Sequence, residues 1–360
     1  MSTGQVIACD VGGTGIKAGL VDAAGRVSHA VTVPTPVVGG DGDATATAVL
    51  DRVAGLAADL SRAARAQPPP QTASGHTPPQ TAMNGSLASA GEHQTSIHPH
   101  RQGSGDGGEG DGEPPVALGV VVPGLVDAAA GMARYSENLG WRDVPFAARL
   151  ARATTPPVAF GHDVRAASAA EHRLGAARGH RDVAFVPIGT GIAAALVLDG
   201  RPVEAGGWAG EIGHIDVGSG LACVCGAAGC LETVASAAAI ARRYTERSGR
   251  PVRGALDVAG RLDGRDPDAA AVWNEAADAL AFALAAVAAV AAPELIVIGG
   301  GLSGAGDVLL DALRTRLQTR LSVAQRHPRL CVAALGDQAG LLGAALLAWQ
   351  RAGVTMRRPD

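Results

Sequence analysis

Three times in this chain an apolar, strand-like run stops at a cluster of glycines. The first is Asp10-Val-Gly-Gly-Thr-Gly-Ile-Lys17, the second Gly189-Thr190-Gly191, and the third Gly299-Gly-Gly-Leu-Ser-Gly304. This pattern constrains the fold more than any other. A glycine turn at a strand end lets backbone N–H groups approach an anion with no Cβ in the way. Alternation of such strands with helices implies an α/β architecture. The spacing of apolar residues predicts strands over 5–10, 16–22, 27–33, 116–122, 158–160, 183–188, 193–198 and 295–298. It predicts helices over 43–66, 164–177, 236–247, 267–291, 307–321 and 339–351.

Each glycine turn suggests a phosphate contact. In the first, Gly12 and Gly13 bare the backbone, Thr14 adds a hydroxyl and Lys17 a charge, while Asp10 has the chemistry to hold Mg²⁺ directly or through water. Gly189, Thr190 and Gly191 form a second candidate cradle. Gly300 and Gly301 stand before the helix starting near Asp307, a suitable place for nucleotide phosphates or ribose. The turns fit neither a Walker loop nor a dinucleotide-binding G-x-G-x-x-G on a βαβ unit.

Between residues 67 and 115 the composition changes to Pro, Gly, Ser, Gln, His and Thr. Such a stretch buries too little apolar surface to offset its ordering entropy, so a disordered surface insertion is expected. Its histidines, His76, His93, His98 and His100, read as solvated residues of that insertion. The domain division expected is a small α/β domain over 1–122 that contains the insertion and a larger one over 123–360, with the C-terminal helix a candidate to pack back on the first.

Of the 360 residues, 47% are apolar, enough for a sizeable core, and the formal charge of −4 gives no electrostatic case for nucleic acid or an anionic membrane. The longest apolar run, 279–292, is alanine-rich and short for a bilayer span. The start carries no signal-peptide pattern, so the expected location is cytoplasmic. Cysteine usage agrees. Cys223, Cys225 and Cys230 crowd into eight residues, which points to a metal in a reducing compartment, whereas Cys9 and Cys331 sit in apolar runs.

With His214, those three cysteines make a closed set of three thiolates and one imidazole, the donor set of a structural Zn²⁺. A filled tetrahedron leaves no position for water, so the ion is expected to shape the site rather than activate a nucleophile. Glu211 and Glu232 flank the cluster and suit bidentate recognition of neighbouring sugar hydroxyls.

Together, Asp10-Val-Gly-Gly-Thr-Gly-Ile-Lys17, Ala209-Gly-Glu-Ile-Gly-His214 and Cys223-Val-Cys-Gly-Ala-Ala-Gly-Cys-Leu-Glu232 resemble the ROK family of repressors and sugar kinases, most of all its bacterial glucokinases. The resemblance covers nearly the whole chain outside the insertion. It implies a two-domain, actin-like ATPase fold (ribonuclease H-like), with sugar and ATP in the cleft. It implies ATP-dependent phosphorylation of the glucose 6-hydroxyl, with Mg²⁺ and Zn²⁺ as cofactors. Asp163, in Phe160-Gly-His-Asp-Val-Arg165, matches the catalytic base. Gly124, Asn138, Glu211, His214 and Glu232 match sugar-binding positions, with His214 shared between zinc and sugar. His162 stands where the family usually has Asn, and the His214-to-Cys223 gap is about one residue shorter than usual. Homodimers or homotetramers are common among such proteins. N-acetylmannosamine, N-acetylglucosamine and fructose are alternative sugars, and a non-catalytic sugar sensor is an alternative role. ROK repressors carry an N-terminal helix-turn-helix of several dozen residues, for which a phosphate turn beginning at Asp10 leaves no room; no nucleic-acid partner is expected.

Overall fold

The computed structural model describes residues 4–66 and 112–356. The chain opens with three antiparallel strands, β1 (Gln5–Val11), β2 (Gly15–Asp22) and β3 (Val27–Pro34), followed by helix α1 (Gly42–Arg65). The side chain of Asp41 caps α1 by accepting from the N–H groups of Asp43 and Ala44. Most of the expected insertion, with its four histidines, lies outside the described residues. The chain re-enters the sheet as β4 (Leu118–Val122), a wholly buried strand. Three short strands, β5 (Leu125–Asp127), β6 (Met132–Tyr135) and β7 (Arg142–Val144), then form a small antiparallel sheet of their own. Helix α2 (Phe146–Ala153) leads to β8 (Val158–His162), and α3 (Asp163–Leu174) begins immediately after it.

The first five-stranded sheet has the order β3-β2-β1-β4-β8. Strand β4 lies parallel to β1 on one side and to β8 on the other. The first sheet therefore does not end at residue 122. It takes in Val158–His162, because a strand apolar along its length needs neighbours on both edges and β8 supplies the second. The first sheet thus draws on residues from both sides of the expected 122/123 division. Parallel pairing also aligns the carboxyl ends of β1, β4 and β8, so Asp10, Gly124 and Asp163 emerge along one edge.

The second half repeats the plan. Strands β9 (Val183–Pro187), β10 (Ala195–Leu198) and β11 (Arg201–Pro202) are followed by the zinc-type loop and by helices α4 (Glu232–Ala235), α5 (Ala237–Ser248), α6 (Ala255–Gly260) and α7 (Pro267–Ala291). The chain closes with β12 (Leu295–Gly299), α8 (Asp307–Arg320), β13 (Arg329–Val332) and α9 (Ala339–Arg351). The sheet order is β11-β10-β9-β12-β13, with β12 parallel to both β9 and β13. Here too the carboxyl ends of β9 and β12 coincide, which places Gly189 beside Gly299–Gly301.

Helix α7 is the one helix among the described residues long and apolar enough to cross a membrane. Its buried face, including Val272, Trp273, Leu280 and Leu284, lies in the core of the second sheet with α5 and α8 residues such as Ile240 and Leu313. Helix α3 is shared between the halves. Ala166, Ala170 and Leu174 pack with α9 and the first sheet, while Ala167 and Val164 pack with Val183, Phe185 and Val297 of the second.

Candidate functional site

At the carboxyl edge of the first sheet, Asp163 is the first residue of α3 and His162 its N-cap. The His162 ring accepts a hydrogen bond at Nδ1 from the Arg165 N–H, 3.3 Å away, so the imidazole does what Asn commonly does at a helix start. Its Nε2 lies 3.5 Å from Asp163 Oδ1. Burial, reinforced by the Arg165 charge and opposed by a hydrogen bond with the Gly124 backbone, holds its pKa down at about 3. A neutral ring follows at neutral pH.

Asp163 moves the other way. Burial, then the charge of Asp10, raises its pKa to about 7; Glu211 adds to this, while the Val164 N–H and Arg165 oppose it. The Val164 N–H donates to Asp163 Oδ1 at 2.7 Å, which fixes the carboxylate's orientation. Asp10, at the end of β1, is itself raised to about 6 by burial, with Lys17 pulling it down. Two raised carboxylates, one of which raises the other, are a common mark of a chemical site.

The first glycine turn is closed by the Gly12 N–H donating to the Gly15 carbonyl at 2.9 Å. Gly13 faces Asn138, whose side chain is exposed at the same edge. Thr14 is also exposed. Lys17, expected to add a charge, donates to the Asp337 carbonyl at 2.9 Å, in the turn before α9. That contact joins residues far apart in sequence and had no signal in the spacing. Helix α9 approaches so closely that a Cβ on Gly340 would stand 2.2 Å from Asp10 Oδ2.

Across from this edge lie the residues of the cysteine-rich loop. Its turns bring His214, Cys223, Cys225 and Cys230 together, and one donor atom from each falls within 4.8 Å of all the others. Cys225 Sγ and Cys230 Sγ are 3.7 Å apart, and Cys223 Sγ is 3.8 Å from His214 Nδ1. Two thiolates bound at about 2.3 Å around a tetrahedral ion would stand about 3.8 Å apart. The donor set and the spacing therefore fit a zinc ion. With Nδ1 turned to the thiols, Nε2 of His214 is left for another partner. Glu232, the first residue of α4, has Oε1 3.7 Å from His214 Nδ1, and its other oxygen lies 3.0 Å from where a Cβ on Gly191 would be. Glu211 is raised by burial and by Glu232, with His214 and Arg165 opposing.

The second and third glycine turns meet at Ile188. Its carbonyl accepts from the Leu302 N–H at 3.1 Å, and Gly300 sits against it at φ +71°. A Cβ at Gly300 would lie 2.5 Å from that oxygen, so only glycine fits. The Gly189 N–H donates to the Gly191 carbonyl at 3.0 Å, and the Gly189 carbonyl accepts from Ala237 N–H at 2.8 Å. Thr190 remains exposed at this edge. The structure thus links the expected residues in one series, from Asp10 through Asp163, Glu211, His214 and Glu232 to Gly191 and Gly300. Gly13 lies against Asn138, and the Thr14 carbonyl accepts from the Thr35 N–H at 3.1 Å.

Two features escaped the sequence reading. Arg165 donates to the Val126 carbonyl at 2.7 Å and to the Gly207 carbonyl at 3.3 Å, tying the first turn of α3 to strand β5 and to the turn at Ala205–Gly207. Its only signal was its place two residues after Asp163. The second is a cavity of about 380 Å³ beside the third glycine turn, lined by Ala237, Arg253, Gly254, Leu256, Asp257 and Gly301. No pattern marked it, since its walls come from three separate segments.

Comparison with known proteins fits this geometry. Residues 109–351 match the ROK family. The chain belongs to the ROK family. A glucokinase of Halalkalibacterium halodurans is 35% identical over 258 residues, which span 66% of this chain and 77% of that protein. The crystal structure of a ROK hexokinase from Thermus thermophilus aligns with a TM-score of 0.68 at 31% identity, covering 97% of this chain and 99% of the other. A ROK family glucokinase from Streptomyces griseus, crystallised with glucose and AMPPNP, gives a TM-score of 0.71 at 26% identity, over 96% and 100% of the two chains. This ROK chain has the two-sheet, actin-like ATPase type of fold that such kinases share.

Proposed function

We propose that this chain phosphorylates the 6-hydroxyl of glucose, with MgATP as donor and Asp163 as the general base. At the coarser level it is an ATP-dependent hexose kinase of the ROK family, in keeping with the glucokinase and hexokinase relatives. The observation that carries the finer reading is Asp163 itself: a carboxylate whose pKa of about 7 suits a base at physiological pH, set between Asp10 and the Glu211 side of the site.

In this reading the ionised Asp163 takes the proton from the sugar hydroxyl as that oxygen forms a bond to the γ-phosphorus. The bond to the β,γ-bridging oxygen breaks, and ADP leaves with its electron pair. The hydrogen bond from Val164 aims the carboxylate, and His162 stays neutral beside it, able to share a hydrogen bond with Asp163 or a sugar hydroxyl. Asn138, Gly124, Glu211, His214 and Glu232 hold the sugar. Fixed acceptors and donors of this kind discriminate among hydroxyl patterns, because a wrong sugar leaves them unpaired.

Asp10 would hold Mg²⁺, which when bound offsets charge on the transferring phosphoryl group. Gly12, Gly13, Thr14, Gly189, Thr190 and Gly191 offer donors to the phosphates, with Lys17 adding positive charge to that edge. Gly300 and Gly301 lead to the 380 Å³ cavity, whose size and apolar Leu256 and Ala237 walls suit the nucleotide base. His214, Cys223, Cys225 and Cys230 would hold zinc, a structural ion that keeps Glu232 and the free nitrogen of His214 in place.

His162 in place of the usual Asn favours a second reading, a ROK kinase for another hexose such as N-acetylmannosamine, N-acetylglucosamine or fructose, because a ring caps the pocket wall where an amide would offer two hydrogen bonds. Coupled turnover with ATP across these sugars decides. Glucose is expected to give the highest kcat/KM. A preference for an N-acetyl sugar or fructose by tenfold or more replaces glucose as substrate, and absence of turnover with all of them removes the kinase reading.

A further inference from the structure

Glu171, two turns beyond Asp163 on α3, is completely buried. Its carboxylate accepts three backbone hydrogen bonds: Oε2 from Ala176 N–H at 2.7 Å and Ala334 N–H at 3.2 Å, and Oε1 from Leu335 N–H at 2.8 Å. No lysine or arginine forms an ion pair with it among the described residues. A buried carboxylate without a cation is costly to keep, and full hydrogen bonding is what makes it tolerable. If packing alone were required here, an apolar side chain would serve at lower cost.

What the carboxylate holds explains its presence. The Ala176 N–H belongs to the segment just past α3. Ala334 and Leu335 belong to the link between β13 and α9. That link continues directly into the turn Gly336–Gln338, where the Asp337 carbonyl receives Lys17 Nζ at 2.9 Å. The first turn of α9 follows, with Gly340 against the Asp10 carboxylate. One side chain on the helix that begins with Asp163 therefore anchors the segment that borders Asp10 and Lys17. The eight residue-to-residue steps from Asp163 to Glu171 span about 12 Å of rigid helix.

We infer that Glu171 is a positioning residue for phosphoryl transfer: its carboxylate locks the Ala334–Leu335 link to α3, and so sets Lys17 and Asp10 in register with Asp163. This rests on the proposal that Asp10 and Lys17 form the phosphate edge. Gly175 shows how little slack the lock has, since a Cβ there would stand 2.0 Å from Glu171 Oε2.

Two variants perturb the lock in different ways. Glu171→Gln keeps the size but turns an NH₂ group towards N–H donors. Gly175→Ala keeps the carboxylate and pushes it aside. Both are expected to raise the KM for MgATP roughly fivefold or more, the effect of losing about one hydrogen bond's worth of order, while the KM for the sugar changes less than twofold. Hydrogen exchange at the Ala334 and Leu335 amides is expected to accelerate in both, which reports the lock without reference to catalysis. The deciding readout is a double-mutant cycle with Lys17→Met. In that background either variant should add little to the nucleotide KM. Full additivity with Lys17→Met, or faster exchange with an unchanged nucleotide KM, overturns the inference. A wild-type chain with no kinase turnover would instead overturn the proposed function, and the exchange result would stand apart from it. If Glu171→Gln does not fold, Gly175→Ala carries the cycle alone.

Discussion

The two sheets end their parallel strands in the same way and furnish the ends differently. The first sheet's edge carries ionisable groups: Asp10 and Asp163, with Lys17 and His162 beside them. The second sheet's edge carries glycines, a threonine hydroxyl and bare backbone, in Gly189–Gly191 and Gly299–Gly301. The first edge suits steps that move a proton or hold a cation, where tunable charge is needed. The second suits an anion or a flat ring, where close approach matters more than charge. One repeated topology thus presents two kinds of surface, according to which side chains occupy the strand ends.

The comparison breaks most visibly at Asp163. Asp163→Ala removes a carboxylate aimed by the neighbouring Val164 N–H, and kcat is expected to fall by about a thousandfold or more, with the sugar still bound when titrated by calorimetry. Normal turnover in this variant would move the base elsewhere. The second edge should respond in another parameter. Gly300→Ala sets a Cβ against the Ile188 carbonyl, in a φ region side chains avoid, so the KM for ATP is expected to rise about tenfold or more while kcat drops less than it does in Asp163→Ala. Equal loss of kcat in the two variants would erase the distinction between the edges.

The smallest effect is in pH dependence. As the proposed base, Asp163 must be ionised to take a proton, and burial first, then Asp10, raises its pKa to about 7. The kcat/KM is expected to decline as pH falls through about 7, roughly tenfold for each pH unit below it. Stability runs the other way. The folded-state pKa lies above the ordinary carboxylate value of 3.8, so this group's favourable contribution is complete below about pH 4 and is lost as pH rises through 7. Asp163→Asn is therefore expected to raise the melting temperature by a few degrees at pH 8 and by less at pH 5. A flat profile in either measurement shows the carboxylate to be an ordinary, solvated one.

Much of this site was legible without coordinates. The glycine turns, the thiol–imidazole cluster and the two flanking glutamates each announce a local geometry by spacing alone. Long helices with clear ends, such as Pro267–Ala291 and Ala339–Arg351, coincide with their sequence expectation. The small sheet of Leu125–Asp127, Met132–Tyr135 and Arg142–Val144 was not legible, because strands of three or four residues hold too little periodicity. Nor was the extent of the first sheet: Val158–His162 is short, and only pairing with Leu118–Val122 assigns it there.

What the sequence by itself determined is local: where strands stop, where helices are capped, and which donors can gather round a metal. These follow from backbone sterics and side-chain chemistry within a few residues. The tertiary structure alone decided the rest. It set Lys17 against Asp337, bent a buried glutamate's oxygens onto a link more than a hundred and sixty residues away, and assembled a cavity from three segments. Contacts of that range depend on how whole sheets and helices pack, and no spacing along the chain records the outcome.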